Sequence, residues 1–121
     1  MIRIALLGLA IAVAVPSGVS AQTIMGAGMI SCGEWTRLRS FEGRAGNFKE
    51  LASLYQAQAW VDGFVSGINS ANNVHTDLLA SRPSGVAMYA WVDNYCRSKP
   101  LDVVAQAVDA LVKELESRAV R

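Results

Sequence analysis

Apolar residues recur along this chain at helical spacing, and no segment alternates with the period of a strand. Leu51, Leu54, Tyr55, Val61, Phe64, Val65 and Ile68 mark one face of a long helix, because residues three and four apart share a face at 3.6 residues per turn. Leu101, Val104, Ala105, Val108, Leu111, Val112 and Leu115 form the cleanest amphipathic stripe, and Pro100 fits the first turn of that helix. Polar and glycine-rich positions set the expected boundaries. A short first helix runs from residue 33 or 34 to 40, with Glu34 at its positive end, and residues 41–46 form a turn. Asn47 caps the long second helix, with Glu50 three residues on as in a capping box. That helix frays near 69–73, residues 74–83 form a loop, and Ser84 caps a third helix running through Cys96. The pattern predicts an all-α domain of four helices.

The first 21 residues have a different pattern. Met1-Ile2-Arg3 is a short basic start, residues 4–15 are apolar or small without interruption, and Pro16, Ser17 and Gly18 break the run. Val19-Ser20-Ala21 then offers small residues at the two positions read by a signal peptidase, which predicts cleavage after Ala21. Twelve apolar residues fall short of the roughly 20 that span a bilayer, so a signal peptide is favoured over an anchor. Met29-Ile30-Ser31-Cys32 loosely resembles a lipoprotein box, but Gln22, Thr23 and two glycines part it from the apolar run, and lipidation would strand Cys96. The expectation is residues 1–21 as a leader and 22–121 as one exported domain, in an oxidising compartment such as a bacterial periplasm.

Charge and cysteine usage narrow the function. The chain carries 11 Lys and Arg against 10 Asp and Glu, and loss of Arg3 with the leader balances the two. Such a balance gives no pull toward nucleic acid or an anionic membrane surface. Cys32 and Cys96 bracket most of the patterned sequence, lack the Cys-x-x-Cys spacing of redox motifs, and are read as a structural disulfide. In the chain-entropy picture, closing a loop of about 64 residues is worth about 4 kcal/mol.

Catalytic and metal chemistry find no support in the residue pattern. His75 is the single histidine, and Ser31, Ser66 and Ser81 lack a base to activate them. Asp62 and Asp93 are expected to cap, to bond to backbone, or to pair with Arg37, Arg39 or Arg97. No enzyme activity, cofactor or metal is predicted. Two further patterns stay open. Ala59, Gly63, Gly67 and Ala71 recur every fourth residue, which suits either close packing within the molecule or a seam for a partner or second copy. Trp35, Trp60, Trp91 and Tyr95 fall on predicted helices, as core or as a protein-binding patch.

A family resemblance rests on three stretches: Ser31-Cys32-Gly33-Glu34-Trp35; Ala59-Trp60-Val61-Asp62-Gly63-Phe64 with the following Ser66-Gly67-Ile68-Asn69; and Trp91-Val92-Asp93-Asn94-Tyr95-Cys96-Arg97-Ser98-Lys99-Pro100. Together they resemble the HdeA family of small periplasmic acid-stress chaperones. They are also similar to the Tai family of type VI secretion immunity proteins, which are likewise exported, helical and disulfide-bonded. The first resemblance implies a folded, dimeric form at neutral pH that loosens in acid and holds unfolded client proteins. The second implies a specific partner, a secreted effector that the protein neutralises. The chain departs from the HdeA pattern in having only Lys49, Lys99 and Lys113, and in a longer cysteine separation around residues 74–83.

Overall fold

The structure is a computed structural model that describes residues 23–71 and 77–119. The predicted leader and His75 lie outside the described residues. A single turn of 3₁₀ helix, Gly26–Met29, precedes four α-helices: α1 Cys32–Arg39, α2 Phe48–Ala71, α3 Gly85–Ser98 and α4 Val104–Ala119. The protein is therefore an all-α, four-helix domain, stapled by one disulfide between Cys32 and Cys96. Both cysteines are buried in the core, where they meet Trp35, Val61, Val65, Val92, Val104 and Val108.

Local chemistry explains where α1 begins. Ser31 is its cap, and the hydroxyl accepts from the Glu34 amide at 3.0 Å. The first-turn amides of Cys32 and Gly33 have no partner inside the helix, and donate instead to the carbonyls of Asp102 and Pro100 at 2.7 and 3.1 Å. Arg37 hydrogen-bonds Glu34 on the exposed side and holds its carboxyl below the ordinary value. Ser84 caps α3 as the sequence predicts, accepting from Ala87 at 3.1 Å.

Four boundaries and faces differ from the sequence reading. Pro100 does not open α4, and Leu101 is 95% exposed outside it. The reason is the pairing just described: residues 100–103 supply acceptors to the start of α1, so the last helix begins only at Val104. There Gln106 reaches back to accept from the Val103 amide at 3.0 Å, the reciprocal half of a capping box. Asn47 precedes α2 as expected, but its amide donates to the Ala45 carbonyl at 3.3 Å rather than engaging Glu50. The third helix extends past Cys96 to Ser98. Tyr55, counted in the apolar stripe of α2, stands 57% exposed, because the neighbouring helices cover only the face of Leu54, Ala57, Val61 and Val65. From Val104 onward the stripe of α4 is buried as predicted.

Candidate partner-binding surface

A cluster of aspartates ties the helices together. Asp93 on α3 accepts from the Trp35 indole at 2.7 Å and pairs in forked fashion with Arg39, whose Nε and Nη2 approach both carboxylate oxygens at 3.0–3.2 Å. Both lie on α1, and Arg39 also pairs with Glu42. The Asp93 bonds raise the Arg39 pKa further above its ordinary value. Asp62 on α2 accepts from the Tyr89 hydroxyl of α3 at 2.5 Å, while its second oxygen is buried without a partner. Tyr95 of α3 donates to Asp102, ahead of α4, at 2.7 Å. The Asp93–Arg39 pairing is among those expected from sequence. The tyrosine partners of Asp62 and Asp102 were not foreseen, since residues 27 and 7 positions apart carry no local signal of contact.

Tyr89 titrates abnormally as a result. Burial, and then the bond to Asp62, push its pKa up to about 12. A folded value above the unfolded one of about 10 stabilises the fold fully below pH 10, and that contribution disappears as pH climbs through 12. Tyr89→Phe should lower stability at pH 7 by about 1–2 kcal/mol, since Asp62 loses its donor. It should also flatten the loss between about pH 10 and 12 in urea titrations. An unaltered alkaline slope would show that Tyr89 does not carry it.

The four candidate aromatics have different fates. Trp35 is wholly buried and offers no surface in the folded protein. Trp60 is half-buried, stacks on Phe64 with centroids 4.9 Å apart, and lies beneath the 3₁₀ turn. Trp91 and Tyr95 are half-buried and stacked along α3 at 6.0 Å. Each of these two lines a groove beside α4. Tyr95 joins Ile24, Met29, Phe64, Val103 and Lys99 around one of about 650 Å³. Trp91 joins Met88, Leu111, Leu115 and Arg118 around one of about 230 Å³.

The small-residue stripe does not serve internal packing. Ala59, Gly63, Gly67 and Ala71 are all exposed, and a methyl group added at either glycine would meet nothing within 4 Å. From Leu51 to the end of α2 the sole charged side chain is Asp62, which turns inward to Tyr89. From Leu51 onward the outer face is therefore uncharged, and Phe48, 82% exposed, opens the helix ahead of Lys49 and Glu50.

No family profile, curated protein or solved structure matches this chain. Among the described residues, no helix is long and apolar enough to cross a membrane, and no group of three His, Cys, Asp or Glu gathers as a metal site.

Proposed function

We propose that this chain is an exported, non-enzymatic protein that binds other polypeptides, and that it acts as an HdeA-like holdase when acid loosens its helices. One observation carries the reading. Among the described residues, every side chain to side chain hydrogen bond spanning more than four residues accepts at an Asp or Glu carboxylate. The remaining ion pairs join residues three or four apart on the same segment. Carboxylic acids as a class take up protons in strong acid, so these links between segments share one chemistry that acid can weaken. The chain then carries about ten positive charges with nothing to balance them, and self-repulsion opposes compactness. The Cys32–Cys96 bond would limit the expansion and keep apolar helix faces within one chain. The periplasm, reached through a leader cleaved after Ala21, is the proposed place of action.

The test is light scattering from a denatured client at pH 2 to 3, with and without the purified oxidised protein. Suppressed aggregation at a few-fold molar excess, absent at pH 7, is the expected result. Aggregation that proceeds unchanged at pH 2 to 3 sinks the holdase reading. A second reading draws on the uncharged outer face of α2, where exposed glycines leave room for a close-packed helix from one fixed partner or a second copy. On that reading the protein neutralises a secreted effector. Tight, stoichiometric binding of a single partner at pH 7, without client protection in acid, would favour it.

A further inference from the structure

Residues 23–30 lie across α2 and α4 as a strap, seated by backbone hydrogen bonds and by the partly buried Ile24, Ala27 and Ile30. A methyl group built at Gly28 would overlap the Trp60 ring, with Cη2 and Cε2 at 2.5 and 2.6 Å. Gly28 is buried, and its φ lies outside the left-handed region, so glycine is required there by proximity alone. Gly26 has φ +79° and turns the strap onto the ring. The Trp60 indole donates to the Met25 carbonyl at 3.0 Å, and the Val104 amide donates to the Ile30 carbonyl at 3.0 Å. Ala27 and Ile30 pack against the core cluster, whereas Met25 and Met29 are 80% and 53% exposed. The strap has no charged residue and no side-chain cap.

We infer that the strap is a displaceable occupant of a peptide-binding groove, and that an apolar segment forming the same single helical turn, with a small residue over Trp60, takes its place. The groove floor is the Trp60–Phe64 stack, and its far wall is the start of α4. The strap itself, through Ile24 and Met29, forms one side of the 650 Å³ groove already described, so its departure widens that groove. Recognition falls on two hydrogen-bonded backbone carbonyls, on apolar packing at positions such as Ala27 and Ile30, and on a missing side chain over Trp60. Such a site tolerates many sequences, as binding to unfolded chains requires, and methionines at its edge adapt to varied neighbours. The strap meanwhile holds the groove closed by mass action, because a tethered ligand acts at an effective concentration in the millimolar range. This deepens the reading of the chain as a polypeptide binder and names the partner as an apolar, uncharged peptide segment.

The experiment measures binding of a fluorescein-labelled peptide of sequence Thr23 to Ile30 to the full, oxidised chain at pH 7 by anisotropy. Gly28→Leu evicts the strap and should bind the peptide at least about tenfold more tightly than the unmodified chain, since apparent affinity scales with the open fraction. Gly33→Ala is the control, because a methyl group there makes only ordinary contacts at 3.7 Å, and it should bind as the unmodified chain does. Equal affinities for Gly28→Leu and the unmodified chain, with helical circular dichroism and the disulfide intact, overturn the proposal. Should Gly28→Leu not fold, hydrogen exchange on the unmodified chain decides the matter. The Trp60 indole and the Val104 amide are expected to exchange at least about tenfold faster than the core amides of α2 and α4. Exchange at the core rate would show that the strap leaves only on global unfolding. Client protection in acid is measured separately, so it can survive while the strap proposal fails.

Discussion

Replacing Cys32 and Cys96 by serine, or reducing the bond between them, is expected to cost the fold about 2–5 kcal/mol. In a domain of about 100 residues that is a fall in the thermal midpoint of about 10 °C or more. The size of the effect follows from what the bond joins. α1 spans only eight residues, too few to be stable as an isolated helix. It is held to the bundle at its first residue by the disulfide and by the backbone bonds from Cys32 and Gly33 to the segment before α4. Without the bond the unfolded chain regains the freedom of a 64-residue loop, while α1 keeps only its packing, the Asp93 contacts and the backbone bonds to residues 100 and 102. Thermal melts followed at 222 nm, with and without reductant, check this. A midpoint that moves by less than about 3 °C would mean the bond contributes little beyond geometry.

Asp93→Asn is expected to be the most damaging single polar change, at about 1–3 kcal/mol. Complete burial of an ion pair would put the cost of breaking it at about 3–5 kcal/mol, and full exposure at about 0–1. Arg39 and Asp93 keep 19% and 24% of their side-chain surface exposed, which places this pair between the limits. An asparagine can still accept from the Trp35 indole, but it leaves the Arg39 guanidinium without its charged partner on α3. The comparison is Lys113→Ala, which breaks an exposed pair with Asp109 on the same helix and should leave stability unchanged. Urea unfolding of both variants at low and high salt gives the contrast, since a half-buried pair is screened less than an exposed one. Equal, small effects for the two would show that Asp93 does not anchor α1.

These two variants also bear on the proposed function from opposite sides. Loss of the disulfide should let the acid-loosened chain expand without limit, whereas loss of the Asp93 charge should mimic, at neutral pH, one step of the acid transition. If Asp93→Asn protects a client at a higher pH than the parent chain, the carboxylate links are the elements that acid releases.

Much of the fold was legible from residue order. The stripe from Val104 to Leu115 repeats often enough to fix a helix and its buried face, and Ser84 marks a start because its hydroxyl satisfies an orphan amide. Leu101 continued the same period and was misplaced for a physical reason. Periodicity records which residues would share a face, but the backbone at 100–103 is drawn away to bond with α1. Tyr55 failed similarly, since an apolar position at helical spacing is buried only where another helix lies against it.

The candidate surface was less legible. The spacing of Ala59, Gly63, Gly67 and Ala71 announced a stripe without saying whether anything covered it, and nothing in the described structure does. Gly28 gave no local sign of its role, because the ring that excludes a side chain there is 32 residues away.

By itself, then, the sequence determined the four helices, the Ser84 cap and the cysteine pair, because each depends on neighbours within a few positions or on spacing along the chain. The tertiary structure alone decided which helix faces are covered, which aspartate meets which tyrosine or arginine, and what lies over Trp60. Those outcomes depend on surfaces that come together only when distant segments pack, and no local property of the residues encodes the meeting.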